Sequence, residues 1–256
     1  QVAPWIPDYE SADWTLVSET ERVINAFGTL ESDSQAIIRS AVREMVAGME
    51  LFITRYAEMD GHLIQTLAEL EEYCWYVAGT VSVIVTGLLS RTASRAARKE
   101  LHEDAPSFGL LLQLVNVAKD VPIDYTEENN VYIPQEVLSD HGIEEASLND
   151  PTRAAAVTPA IMEIVDEAES YLADTRSWLE HVPTTRGNTM RAWALPFLLA
   201  VATIRELRTR GDDVVKNNGL KISRQEVAAI LSIPSTEIET NVAELQHRIM
   251  SDPFDQ

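Results

Sequence analysis

The sequence predicts an all-α fold in a single domain spanning residues 1–256, and three observations carry that prediction. Leu, Ile, Val and Ala recur at helical spacing along nearly the whole chain, while strand-like alternation is weak throughout. Glycine and proline are sparse, 10 and 11 residues of 256, and no stretch reads as a linker or an internal repeat. Two runs, Tyr73–Ser90 and Ala192–Ile204, carry no charged residue, as expected of helices buried on most sides at the centre of a large helical domain. With 45% hydrophobic residues the chain can bury a large core.

The opening VAPWIPDYESADW has two prolines and no periodicity and reads as loop. Helices are then expected near residues 17–28, 33–58, 65–90, 107–121, 153–181, 188–210, 223–231 and 236–250. Ser32, Asp33 and Ser34 offer capping oxygens to the second of these. The third contains the 18-residue run Tyr73–Ser90, long enough to raise the question of a membrane span. Thr80, Ser82 and Thr86 interrupt it and no second span of that strength exists, so it reads as a buried helix. The fourth is expected to kink or end at Pro122, whose ring lacks a donor and disfavours helical geometry at Val121. Asp150 followed by Pro151 marks a helix start, and Pro196 is expected to kink the helix it sits in.

Charge narrows the function. A net charge of -21 and a pI near 4.5 argue against nucleic acid, which is bound by clustered Lys and Arg. So acidic a surface repels itself in dilute buffer and is relieved by concentrated salt, which suggests a halophilic cytoplasm. Cys74 is the only cysteine, so no intrachain disulfide forms and a reducing compartment fits. The five histidines, at 62, 102, 141, 181 and 247, lack ligand spacing, which sets aside a His-based metal or nucleophilic site.

The most informative segment is NVAKDVPIDYTEENNVYIP, Asn116–Pro134. At about 100° per residue, Gln113, Asn116, Asp120 and Asp124 project within roughly an 80° arc of one helix, with Lys119 beside them as a phosphate contact. Two carboxylates and a carboxamide are hard oxygen ligands of the kind that hold Mg²⁺ shared with substrate phosphates. The same i, i+4 spacing also arises on a solvated acidic face, since 41 of 256 residues are acidic. The two charge-free helices tip the balance. An aspartate pair at the rim of an apolar interior suits a substrate with a diphosphate head and a hydrocarbon tail.

At this point the residues carry a likeness. YCWYVAGTV (Tyr73–Val81) and SFGLLLQLVNVAKDVPIDYTEENNVYIPQEV (Ser107–Val137), with GMELF, RAWALPFLLAVATI and KNNGLKISRQEV, resemble the squalene and phytoene synthases, the head-to-head prenyl synthases. DYTEENNVYIP is most similar to the archaeal squalene synthase branch. The resemblance implies an all-α isoprenoid synthase fold around a deep apolar cavity. It also implies Mg²⁺-assisted diphosphate ionisation, a cyclopropyl diphosphate intermediate and, in squalene synthases, reduction by NADPH. The substrate implied is farnesyl diphosphate, and the protein is expected to be a cytoplasmic monomer, peripheral at a membrane because its product is an insoluble hydrocarbon. A phytoene-type synthase using C20 substrates without NADPH is the alternative within the family. A non-catalytic helical protein that binds lipid or a protein partner is the alternative outside it.

Carried over by position, Asp120 and Asp124 match the family's second aspartate motif and Asn116 its preceding Asn, implying the metal ligands. Gln113 matches a cavity-facing glutamine, and Lys119 stands where Arg is common, keeping the charge but losing the planar fork. Tyr73 matches the tyrosine of YCxYVAG, placed to stabilise a carbocation or assist proton movement. Lys216, Lys221 and Arg224 match a basic segment at the cavity mouth and are assigned to diphosphate or the NADPH phosphate. Ala78 and Gly79 are expected to allow close helix packing. Arg91, Arg95, Arg98 and Lys99 form a second basic cluster, read either as a lid or as helix-end electrostatics. Trp75 stands where the family often has His, and Ser82 where it often has Gly. The family's first aspartate motif, D-x-x-x-D on an early apolar helix, is absent before residue 17. Asp8 and Asp13 stand in loop sequence. The chain is therefore expected to be an N-terminally incomplete copy, inactive by itself.

Overall fold

The computed structural model describes residues 12–59, 61–183 and 189–254. Among them the architecture is all helical, and the one extended pairing is an isolated parallel bridge between Leu63 and Val131. The chain divides into two compact units, residues 1–40 and 41–256.

The first unit holds α1 (Ala12–Ser18), α2 (Thr20–Gly28) and the start of α3 (Ser32–Arg55). The single helix expected over 17–28 is thus two, beginning earlier, and Asp13 stands in the first turn of α1. Asp8 lies outside the described residues. Gln35 ties the α2–α3 turn by donating from Nε2 to the carbonyls of Gly28 and Leu30 at 3.2 and 2.8 Å.

The second unit continues α3 and adds α4 (Leu67–Cys74), a π-helical turn (Trp75–Gly79), α5 (Thr80–Leu89), α6 (Arg95–Glu127) and α7 (Gln135–Asp140). It then runs through α8 (Ala154–Ser170), α9 (Leu172–His181), α10 (Thr189–Arg210), α11 (Asp212–Lys216), α12 (Arg224–Ser232) and α13 (Ser235–Ser251). The helix expected over 153–181 is broken at Tyr171, and the short α7 and α11 lack enough turns for a periodic signal. Position 188 lies outside the described residues, and α10 is traced from Thr189. Asp150 behaves as expected: its carboxylate accepts from the Thr152 amide at 2.9 Å and opens the turn into α8.

Helix α6 is the axis of this unit, packing against α4, the π turn, α5, α8, α9 and α10. Of the two outcomes expected at Pro122, the ending of the helix between the two aspartates is corrected. The helix runs unbroken through Pro106 and Pro122 to Glu127. The reason is tertiary: Pro122 is itself buried beside Val121, and Leu111, Leu114 and Ala118 are fully buried on the preceding turns. Their burial, at about 1.5–3 kcal/mol per large apolar side chain, outweighs the ~3 kcal/mol of an internal proline. Pro196 is likewise carried within α10, most of whose apolar residues from Ala194 to Leu207 are buried as expected.

The charge-free run Tyr73–Ser90 departs from its expectation in a useful way. The continuous stretch Leu67–Thr92 is long and apolar enough to cross a bilayer, yet only 39% of its most apolar window is buried. Val81 is 42% exposed, because this side of the helix lines a cavity rather than the close-packed core.

A buried polar knot closes the other end of the unit. Arg205 of α10 makes two 2.8 Å bonds to the Glu226 carboxylate of α12 and donates to the carbonyls of Ile249 and Asp252 at 2.8 and 3.1 Å. The Phe254 amide donates to Glu226 Oε1 at 2.9 Å. Neither ion is left without partners, the condition for burying such a pair.

Candidate active site

The site begins where α4 turns into α5. Across Trp75–Gly79 the helix widens to π geometry, with the Thr80 amide reaching back five residues to the Trp75 carbonyl. The Tyr76 carbonyl is met instead by the Thr80 hydroxyl at 2.8 Å. Three glycines let neighbouring helices approach this turn. A Cβ on Gly109 of α6 would lie 2.4 Å from the Ala78 carbonyl oxygen, and one on Gly48 of α3 would lie 2.0 Å from the Tyr76 ring. One on Gly79 would meet the Trp75 ring at 2.6 Å. The expected close packing at Ala78 and Gly79 is present, and it is the backbone of the π turn that is gripped.

Against this turn lies a cavity of about 190 Å³ walled by Val77, Ala78, Val81, Ser82 and Val85 on one side and Phe108, Gly109, Leu112 and Gln113 on the other. Trp178 of α9 and Trp193 of α10 complete it. The Trp178 indole is fixed by donating to the Thr86 hydroxyl at 2.8 Å. The wall is apolar apart from Ser82 and Gln113, suited to a hydrocarbon. Its volume is below the ~300–1,000 Å³ of typical ligand sites, so a long prenyl chain must extend beyond it.

Gln113 is where the apolar wall meets the polar row. Along the same helix follow Asn116, exposed, then Asp120 and Asp124, both partly buried. The Lys119 ammonium is ion-paired to the Asp120 carboxylate, so it reaches a phosphate only by giving up that partner. Burial pushes the Asp124 carboxyl up to about 7, reinforced by the negative charges of Asp120 and Glu128 and only partly opposed by Lys119. Two carboxylates one turn apart thus share the single charge of Lys119, which is paired to Asp120 and leaves Asp124 without an ion pair of its own, and hard oxygen donors in that state fit a divalent cation. Among the described residues no three His, Cys, Asp or Glu gather into a ready-made metal cage.

Tyr73 sits one turn before Val77 and meets an aromatic cluster that sequence reasoning missed. Its ring is 5.0 Å from Tyr132, 5.3 Å from Phe52 and 5.6 Å from His62. Its hydroxyl is 2.9 Å from that of Tyr132. Burial raises both phenols above the ordinary tyrosine value. The Leu63–Val131 bridge brings the partners together: the Val131 amide donates to the His62 carbonyl at 2.7 Å and the Ile64 amide to the Val131 carbonyl at 3.1 Å. Gly61 and Asn129, both at positive φ, turn the chain into the pairing. His62 lies 68 residues from Asn130 and Tyr73 lies 59 from Tyr132, separations no local pattern spans. The signal that could have found Asn130 and Tyr132 is NNVYIP itself, a polar and aromatic run just after the aspartate pair.

The basic segment is brought to the same face. The Leu220 amide donates to the Lys119 carbonyl at 3.0 Å, and a Cβ on Gly219 would lie 3.5 Å from Asp120 Oδ1. Lys216, Lys221 and Arg224 flank that contact and are exposed. Lys216 is paired with Asp212 at 3.0 Å. The second cluster is not gathered on this contact: Arg98 donates to the carbonyls of Ser90 and Arg91, and Lys99 pairs with Glu103 at 3.1 Å. These are helix-end contacts.

The squalene/phytoene synthase family pattern matches residues 2–226. The chain belongs to the squalene/phytoene synthase family. Among its relatives, a squalene synthase of Schizosaccharomyces pombe is 26% identical over 222 residues, covering 86% of this chain and 47% of the relative. A bifunctional lycopene cyclase/phytoene synthase of Arthroderma gypseum is 27% identical over 184 residues, covering 70% of this chain and 30% of the relative. The chain thus spans about half the length, or less, of these relatives. Among solved structures, TcSQS in complex with the ligand BPH1237 superposes with a TM-score of 0.80 at 23% identity, covering 94% of this chain and 67% of that one. YisP from Bacillus subtilis superposes with a TM-score of 0.60 at 25% identity, covering 85% and 77%. The isoprenoid synthase fold expected from the sequence is therefore the observed one.

Two departures from the family pattern find a local account. Trp75, where the family often has His, donates from its indole to Glu44 at 2.9 Å and braces α3 against the π turn. Ser82, where Gly is common, is buried in the cavity wall.

Proposed function

We propose that this chain carries the second aspartate half of a squalene synthase, a prenyltransferase that joins two farnesyl diphosphates head to head and reduces the product with NADPH. The observation that carries the reading is the continuous path along α6, from the apolar cavity through Gln113 and Asn116 to the Asp120–Asp124 pair. A hydrocarbon tail and a diphosphate head fit its two ends in that order. That residues 1–256 act as one isoprenoid synthase domain is part of the proposal, as is peripheral attachment to a membrane from a cytoplasmic position.

Asn116, Asp120 and Asp124 would hold Mg²⁺, which when bound neutralises the diphosphate and makes it a leaving group. Gln113 orients the head relative to the tail. Lys119 exchanges its bond to Asp120 for one to a phosphate oxygen, supplying charge where negative charge develops. Tyr73, one turn before the cavity residue Val77 and with its hydroxyl against that of Tyr132, stabilises positive charge on the allylic carbon through its π face. The packed walls around Trp178 and Phe108 exclude water that would quench that cation. Lys216, Lys221 and Arg224, tethered to α6 through Leu220, bind the phosphate of NADPH, which supplies hydride when bound.

Incubation of the native protein with C15 and C20 prenyl diphosphates, with and without NADPH, tests this. Squalene formed from the C15 substrate with NADPH is expected. Activity on C20 alone and without NADPH overturns the choice in favour of a phytoene-type synthase, a reading favoured by the Arthroderma relative.

A further inference from the structure

The hydrogen bonds behind Tyr73 have a direction, and the backbone fixes it. The buried Asn130 side chain accepts at Oδ1 from the backbone amide of His62 at 2.8 Å. A backbone N–H is always a donor, so this contact identifies the amide oxygen and, with it, the nitrogen. The His62 ring contributes a second contact to the same oxygen, Nδ1 at 2.9 Å, which requires Nδ1 to carry hydrogen. The Asn130 nitrogen then faces two acceptors with its two hydrogens, Glu128 Oε2 at 2.9 Å and Tyr132 Oη at 3.0 Å. Tyr132 therefore accepts from Asn130. It has one hydrogen of its own, and Tyr73 Oη lies 2.9 Å away.

If Tyr73 donated to Tyr132 instead, the Tyr132 hydrogen would face no acceptor among the described residues. In either arrangement one hydroxyl hydrogen lacks a protein partner, and it costs about 1–3 kcal/mol on buried Tyr132 but less on Tyr73, which is only partly buried. With Tyr132 donating, every hydrogen in the chain is placed except one, the Tyr73 hydroxyl hydrogen. We propose that His62, Asn130 and Tyr132 are positioning residues that turn the Tyr73 O–H away from the protein and toward the reacting head group, making Tyr73 a hydrogen-bond donor at the site. The stacking of His62 on Tyr132, with centroids 6.1 Å apart, holds both rings in this register. As allylic carbon–oxygen bond cleavage leaves the electron pair on the diphosphate, Tyr73 donates to an oxygen of that anion, and no bond to hydrogen breaks. The role in turnover rests on the function proposed above, whereas the direction of the hydrogen bonds does not.

The test places a fluorinated tyrosine, whose phenol titrates nearer neutral pH, at position 73 and follows its ionisation by fluorine NMR in the full chain. In Tyr132→Phe the Tyr73 phenolate loses a donor, so its titration rises by about one pH unit, the shift equivalent to one hydrogen bond of ~1.4 kcal/mol. The direction itself is read in the parent chain with carbon-labelled tyrosine: the slowly exchanging hydroxyl proton between the two oxygens is expected to couple to the Tyr132 ring, and coupling to the Tyr73 ring overturns the proposal. Asp124 and Glu128, whose charges face Tyr73, are unchanged in the comparison. Asn130→Ala, which frees Tyr132 to accept from Tyr73, gives a smaller rise and stands in if Tyr132→Phe does not fold. A fall, or no change, in the folded variant overturns the proposal. Turnover separates the two readings: kcat is expected to fall about 10-fold or more in Tyr132→Phe with KM within about threefold. A rise in titration in a protein that converts no prenyl diphosphate leaves the hydrogen-bond direction standing and removes the function.

Discussion

At the scale of single residues the site holds a tension at Asp124. Its folded value near 7 lies above the ordinary 3.8 of an aspartate, so between those values the native state binds more protons than the unfolded chain. Stability from this group is fully present below pH 4 and is lost as pH rises through 7. Asp124→Asn is therefore expected to be more stable than the parent at pH 8 by about 1–2 kcal/mol, discounted for partial exposure. The two should be equal at pH 4, as read from urea midpoints in the absence of Mg²⁺. The same substitution should abolish Mg²⁺-dependent turnover, so stability and activity move in opposite directions. Asp120 and Asp124 were legible from sequence because helical phase alone sets their common face. Asn130 and Tyr132 were not, since their partners arrive through a bridge between segments 68 residues apart.

At the scale of elements, the π turn at Trp75–Gly79 and the uninterrupted α6 are both decided by packing. The helical stretch 65–90 was readable from its apolar content, but a single widened turn leaves no periodic trace when almost every residue is apolar. Pro122 misled in the other direction: a local rule about proline was overruled by the burial of Pro122 itself and of the turns before it. The grip of α6 on the π turn can be tested at Gly109. A methyl there would press on the Ala78 carbonyl, a backbone atom that cannot swing aside. Gly109→Ala should cost about 2–3 kcal/mol and lower Tm. Gly28, where a Cβ meets nothing within 4 Å, should accept Ala with Tm unchanged or slightly raised.

At the scale of the molecule, charge and fastening dominate. With -21 net charges, self-repulsion should be screened as the Debye length falls to about 3 Å at 1 M salt. Thermal midpoints should climb by several degrees between 0.1 and 2 M KCl, and a flat profile would remove the halophilic reading. The all-helical fold and its apolar centre were legible from composition and period. The knot around Arg205 was not, because Arg205 and Glu226 are ordinary charged residues until the fold buries them. Glu226→Gln, which removes one of the two carboxylates paired with Arg205 and leaves Glu206, should cost about 1.5–3 kcal/mol by denaturant unfolding. The knot also has a geographical consequence. Arg224 begins the helix that Glu226 anchors, and the amide of Phe254 hangs from the same carboxylate. Phe254 and the basic rim beside Asp120 therefore share a single mooring. Clipping Phe254 with a carboxypeptidase is expected to loosen the start of the Arg224 helix, and with it the proposed phosphate contacts, before any helix melts.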